Sequence, residues 1–409
     1  MPKNKKKKTW VRKRHLFFYN LARPMFKRKL KRREGFITTK EILPDKPCLI
    51  VSNHVTTFDP FKIALTTRKM VYFVLSDDIL SRKFLGPLLS WGCNPIPKSK
   101  SVSDMRCVKI MLQVLKEGSN VMVFAEGNRT YNGELCHVDK SIAKLVKLSK
   151  VPLVIYNMIG NYASDPRWAS DYRKGECYAK IVKTIYPDEY DKYSIDELYD
   201  IIVSNMKVNE PTPSIKDPNR ALFLERVMYR CPDCNNVNTL HSQSKYVYCD
   251  TCDFKVLLNE DLTFSKVSGN NYFKTIPEWY NFQQDIVKSF DISNLKDDEE
   301  IYFEENVNLF QVIKCKTRKY LIKNGRLSMT KNEIKVVKNV NDNKLVSIPI
   351  ESIEAGCCVM KNKANFIIGN MTYQIKGDER FNALKYVEMF NHIKNELKGL
   401  PHEDEFLGL

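Results

Sequence analysis

Two short polar stretches hold the residues best suited to chemistry, and each follows an apolar run. The first is Asn53-His54-Val55-Thr56-Thr57-Phe58-Asp59, after Cys48-Leu49-Ile50-Val51. Histidine changes charge near neutral pH. In a tight turn, Asp59 is close enough to hold one ring nitrogen and leave the other free as a base. Taken alone, the pair also reads as a polar turn in which His54 caps a strand end. The second stretch, Glu126-Gly127-Asn128-Arg129-Thr130, follows Val121-Met122-Val123-Phe124-Ala125. Gly127 permits a sharp turn, and Arg129 presents a planar, always-charged fork that suits a phosphate monoester.

These residues need elements to position them. Both apolar runs have the pattern of short buried strands, and open α/β sheets build their sites at the carboxyl ends of such strands. Pro60 suits the first turn of a helix, so helix is expected over 58–67, followed by a strand over 70–75 and a helix over 80–89. Met105, Val108, Met111, Leu112 and Leu115 recur at helical spacing between Ser101 or Ser103 as cap and Gly118 as stop. A helix over 138–147, strands at Val151–Ile155 and Cys177–Ile185, and a helix over 195–206 continue the alternation. The expected fold is α/β, a mixed sheet with flanking helices.

In this order the blocks resemble the lysophospholipid acyltransferase family, the 1-acylglycerol-3-phosphate acyltransferases. Asn53, His54 and Asp59 fit its NHxxxxD motif. Phe124, Glu126, Gly127 and Arg129 fit its FPEGxR block, with Ala125 where the family usually has proline. Gly92-Cys93-Asn94-Pro95-Ile96-Pro97-Lys98 occupies the place of the glycine-to-arginine block, with Lys98 keeping the charge but not the bidentate geometry of arginine. Val151–Ile155 resembles the last, apolar block, and the resemblance covers roughly residues 15 to 215. It implies a glycerolipid acyltransferase-like domain over 34–215 that moves a fatty acyl group from acyl-CoA or acyl-carrier protein to lysophosphatidate, giving phosphatidate. His54 would be the general base and Asp59 its support. Asn53, Lys98, Glu126, Gly127 and Arg129 would contact substrate, with Arg129 on the acceptor phosphate. No catalytic cofactor is implied. Glycerol 3-phosphate or another lysophospholipid is an alternative acceptor.

Charge is unevenly placed. Of the net +18, nine Lys and six Arg with no acid fall in Met1–Arg33, leaving +3 for the remainder. Residues 1–33 read as a basic amphipathic segment lying on an anionic membrane surface, with Pro24 expected to kink or end its helix. The run Leu16–Ala22 is short and lacks a small-residue cleavage pattern, so a cleavable signal peptide is not expected. No run of 18 uninterrupted apolar residues occurs, and the expected location is peripheral, at the cytoplasmic face of the membrane.

Asn209–Ser214 reads as a linker. Beyond it, Cys231-Pro-Asp-Cys234 and Cys249-Asp-Thr-Cys252 are spaced as a zinc ribbon over 225–262, four thiolates on one structural Zn²⁺. Residues 295–399 read as successive strands with an Asn324-Gly325 hairpin, then one helix ending at Gly399. This resembles a pleckstrin-homology or GRAM-type domain. A nucleic-acid or protein adaptor built on the basic arm and ribbon is the competing class. It leaves both motif blocks unexplained, so no nucleic-acid partner is expected.

Overall fold

The computed structural model describes residues 9–80, 83–98, 104–313, 317–338 and 344–399. The chain forms two compact units. The first comprises Met1–Thr130, Glu134–Asp165 and Arg173–Pro213, the second Tyr131–Gly133, Pro166–Tyr172 and Ser214–Leu409.

The first unit opens with α1 (Lys13–Glu34). Then follow β1 (Leu49–Ser52), α2 (Asp59–Thr66), β2 (Val71–Ser76), α3 (Asp77–Leu80), α4 (Leu85–Gly92) and β3 (Ile96–Lys98). After these come α5 (Met105–Lys116), β4 (Asn120–Phe124), α6 (Ser141–Ser149), β5 (Leu153–Ile159), α7 (Asn161–Ser164), β6 (Tyr178–Ile185), α8 (Pro187–Tyr190) and α9 (Ile195–Met206). The six strands lie in the order β3-β2-β4-β1-β5-β6, all neighbours parallel except β5 and β6. This is the mixed sheet expected. β1 is central and fully buried because both of its faces are covered. Leu49 and Val51 pack with Val114, Val146 and Ile202 on one side. Ile50 packs with Leu30, Ile63 and Tyr156 on the other.

Several boundaries differ from the sequence reading. Asp104, whose carboxylate accepts from the Cys107 N–H at 2.9 Å, caps α5; Ser101 and Ser103 lie outside the described residues. Pro24 does not end α1, which runs ten residues beyond it. Pro24 and Asn20 are both exposed, so water can serve the carbonyl that the missing N–H abandons. Tertiary bonds also hold the helix on: Tyr19 and Arg23 donate to carbonyls at the carboxyl end of α2, where a cation is favoured by the helix dipole. Leu16, Phe17, Leu21 and Met25 on α1, and Phe84, Leu88 and Trp91 on or beside α4, are exposed apolar side chains. No helix among the described residues is long and apolar enough to cross a membrane.

The second unit contains β7 (Leu240–Gln243), β8 (Tyr246–Cys249), β9 (Lys255–Leu258) and β10 (Phe264–Ser268), a four-stranded antiparallel sheet, followed by α10 (Ile276–Lys288). Next come β11 (Tyr302–Ile313), β12 (Thr317–Met329), β13 (Glu333–Lys338), β14 (Leu345–Pro349), β15 (Ala355–Cys358), β16 (Lys363–Ile368) and β17 (Met371–Lys376). These form a seven-stranded antiparallel sheet in the order β14-β13-β12-β11-β17-β16-β15. The last helix, α11 (Leu384–Lys398), packs on it through Phe390 and Ile393.

The expected Asn324-Gly325 hairpin is absent. Both residues lie inside the continuous β12, where the register against β11 slips between Val307↔Gly325 and Leu309↔Ile322. Asn324, at φ 49°, supplies the bulge, and Gly325 lets β13 approach closely. A Cβ at Gly325 would stand 2.6 Å from the Val337 carbonyl oxygen and 2.7 Å from Ile322 Cγ2. Gly325→Ala is therefore expected to destabilise the protein by about 1–3 kcal/mol, read as a lowered Tm. An unchanged Tm would show that the strands part freely there.

Candidate active site and metal centre

β1 and β4 pair in parallel with Ser52 opposite Phe124, so His54 and Glu126 each stand two residues beyond a paired strand end. The loops after these strands grip each other. The His54 N–H donates to Glu126 Oε1, the Thr130 N–H donates to the His54 carbonyl at 3.0 Å, and Glu126 Oε2 accepts from the Cys136 N–H at 2.6 Å. Gly127, at φ 66°, makes the reversal that carries the chain from Glu126 to Thr130.

Asp59, the first residue of α2, is completely buried and turns back onto the loop before it. Its Oδ2 lies 3.0 Å from His54 Nδ1 and accepts from the Val55 and Thr56 N–H groups at 2.7 and 2.8 Å. Its Oδ1 accepts from Thr56 Oγ1 at 2.5 Å. Burial pushes its pKa up, but the His54, Lys62 and Thr56 interactions outweigh burial and hold it below the ordinary carboxylate value. A carboxylate on Nδ1 fixes the tautomer with Nδ1 protonated and Nε2 unprotonated. The imidazole stacks on Phe124 at 4.1 Å between centroids, and its side chain keeps 19% exposure. It is thus both oriented and reachable.

The other residues singled out by sequence are placed as follows. Asn53 is buried and aims inward, its Oδ1 accepting from the Met158 N–H of β5 at 2.8 Å. Glu126 is buried and spends both oxygens on backbone N–H groups, so it acts on the shape of the His54 turn. Gly127 is exposed. Arg129 is half-buried in the loop that bonds to the His54 backbone, with its own N–H on Asn128 Oδ1 at 2.9 Å. Lys98 is exposed at the same sheet edge but at the end of β3, three strands from β1. Among these residues the structure brings together His54, Asp59 and Glu126 by direct bonds, and leaves Lys98 to one side.

Sequence reasoning missed what lies beneath Asp59. Lys62, one turn along α2, is fully buried with its Nζ 2.5 Å from Glu34 Oε2, 2.6 Å from Asn161 Oδ1 and 3.1 Å from Thr56 Oγ1. The only local signal is a lysine among the apolar residues of a short helix, Phe61-Lys62-Ile63-Ala64-Leu65.

In the second unit, Cys231, Cys234, Cys249 and Cys252 hold their sulfur atoms within 4.8 Å of one another. Two of the separations are 3.6 Å (Cys231–Cys252) and 3.7 Å (Cys234–Cys249). Four thiolates about 2.3 Å from a tetrahedral ion would stand about 3.8 Å apart, so the donor set fits a metal such as zinc.

Burial lifts Glu126 to about 8, with the His54 and Cys136 N–H bonds opposing it. A carboxyl whose folded pKa is raised contributes stability at pH below its unfolded value, and loses it as pH rises through the folded value. Between pH 5 and pH 9 the wild-type Tm is therefore expected to fall more steeply than that of Glu126→Gln, which cannot ionise. Parallel slopes would show that Glu126 ionises without penalty.

Residues 36–158 match the family model described as Acyltransferase. A chloroplastic 1-acyl-sn-glycerol-3-phosphate acyltransferase of Brassica napus is 26% identical over 153 residues, covering 36% of this chain and 43% of that protein. A 1-acyl-sn-glycerol-3-phosphate acyltransferase of Pseudomonas aeruginosa is 26% identical over 137 residues, covering 32% and 51%. The crystal structure of the 1-acyl-sn-glycerophosphate acyltransferase of Thermotoga maritima aligns over 47% of this chain and 76% of its own, at 17% identity and a TM-score of 0.37. The chain thus spans about half or less of the length of these two curated relatives.

Proposed function

We propose that the protein, whose residues 36–158 match the Acyltransferase family model, transfers a fatty acyl group from a thioester donor, acyl-CoA or acyl-carrier protein, to the free hydroxyl of 1-acyl-sn-glycerol 3-phosphate. The observation that carries this reading is the His54 Nδ1–Asp59 Oδ2 bond of 3.0 Å, made by a fully buried carboxylate while the imidazole remains partly exposed. An alcohol is a poor nucleophile until its proton is removed. His54 Nε2 takes that proton as the oxygen attacks the thioester carbonyl. The imidazolium, held by Asp59, returns the proton to the departing thiol as the tetrahedral intermediate collapses. Bond formation to oxygen and cleavage of the C–S bond balance without a covalent enzyme intermediate.

Arg129 is the proposed holder of the acceptor phosphate, supported by its place in the loop bonded to the His54 backbone. Lys98, at the outer end of the same edge, would reach a more distant part of a substrate. Asn53 and Glu126, through their bonds to backbone N–H groups, and Gly127, through its turn, hold the loops at these strand ends in shape. The exposed apolar residues of α1 and α4, with exposed Lys13, Lys27, Arg28, Lys29, Lys31 and Arg32, support docking on an anionic membrane surface, which we propose is the cytoplasmic face.

With purified protein on anionic vesicles, His54→Ala is expected to lower acyl transfer by about 10²–10⁴-fold while the circular dichroism spectrum stays unchanged. Arg129→Ala is expected to weaken phosphorylated acceptors selectively. Retained turnover in the first variant removes the base; equal losses with phosphate-free acceptors remove the phosphate role of Arg129.

The four-cysteine cluster is proposed to hold one structural zinc ion, which leaves no ligand position for chemistry. Elemental analysis is expected to find one zinc per chain, and Cys249→Ser to lose the metal together with a large drop in Tm. A metal-free native protein with unchanged Tm would refute it.

A further inference from the structure

Four ionisable groups meet behind the His54 turn, and only two of them were legible as a motif. Lys62 has no exposure and three polar partners, each from a different element: Glu34 closes α1, Thr56 sits in the turn, and Asn161 opens α7. Thr56 in turn donates to Asp59 Oδ1, so the ammonium and the carboxylate share one hydroxyl. The Lys62 chain also passes the Phe36 ring, with Nζ 5.8 Å from its centroid. A buried lysine normally loses its proton to burial, but the Glu34 and Asp59 charges reverse this and hold Lys62 above its ordinary value.

The charge count has a consequence for the base. Glu34 and Asp59 are two buried negative charges and Lys62 is one positive charge. The cluster therefore carries one negative charge in excess, and an imidazolium at His54 neutralises it. Without Lys62 the excess would be two charges, and without Glu34 it would be none. Two neighbouring titratable groups, Glu126 and Cys177, leave this count unchanged near neutral pH. Glu126 lies at about 8 under burial, and burial raises the Cys177 thiol above its ordinary value.

We propose that Lys62 is a positioning residue of the His54–Asp59 pair, with Glu34 as the counter-charge that keeps it in place. Through Thr56 and the field it exerts on Asp59, Lys62 sets the proton affinity of His54 and makes the carboxyl end of α1 part of the site. This inference rests on the acyl-transfer reading, with His54 as base.

The test is the pH dependence of kcat/KM with acyl-CoA and lysophosphatidate, whose acid limb follows deprotonation of the base. Lys62→Met removes a positive charge, so the imidazolium is favoured and the limb is expected to move up by about half a unit or more. Glu34→Gln removes a negative charge, and the limb is expected to move down by a similar amount. Glu34→Gln/Lys62→Met restores the balance, and its limb is expected near the wild-type position with kcat about tenfold lower, because Thr56 and Asn161 have lost their donor. A merely structural role moves no limb, still less in opposite directions. Superimposed limbs in the two single variants, with His54→Ala inactive, overturn this inference alone. Activity surviving in His54→Ala overturns instead the reading it rests on. Should the single variants fail to fold, the double variant decides: a wild-type kcat there overturns the proposal, and a tenfold loss supports it.

Discussion

The first unit depends on one constraint, that a carboxylate removed from water must be met by donors. Asp59 has no exposure, and its two oxygens collect the Val55 and Thr56 N–H groups, the Thr56 hydroxyl and the His54 ring. An unmet charge in that position would be intolerable, so the turn over residues 54–58 takes the shape that supplies those donors. The orientation of His54 is thus a by-product of solvating Asp59. Lys62 and Glu34 extend the same logic one layer down, where a second buried carboxylate balances a buried ammonium.

Parallel pairing supplies the other half of the site. Because β1 and β4 are neighbours in register, their carboxyl ends sit side by side, and Glu126 can bond the His54 backbone directly. The site is built on loops, but those loops are tied to each other and to buried strands. Its geometry is therefore closer to that of the sheet than to that of a free connection. Neutralisation of the Glu126 side chain near neutral pH also keeps a further negative charge away from the Asp59 cluster.

The second unit is stabilised by different means. Its seven-stranded sheet and α11 share a substantial apolar core around Val307, Leu327, Phe366 and Phe390. The four-stranded part around the cysteines is small. There Trp279 of α10, packed between Phe254 and Phe264, carries much of the apolar contact, and a metal on four thiolates would add to it. The bulge at Asn324 shows how a local turn signal yields to tertiary pairing. The same φ preference that closes a hairpin can bend a long strand, and partners on both sides of β12 decide for the latter.

By itself the sequence determined what is local. A five-residue step from His54 to Asp59, the Glu126-Gly127-Arg129 turn, the paired CxxC knuckles, the apolar strands and the period of α5 and α9 all follow from neighbours along the chain, because turns, caps and periodicity are short-range. Tertiary structure alone decided which strands adjoin, that Glu126 faces the His54 N–H, that Arg23 holds the end of α2, and that Lys62 of α2 meets Glu34 of α1. Those outcomes depend on burial and on partners many residues away. A lone lysine in an apolar helix carries no mark of the carboxylate that will neutralise it.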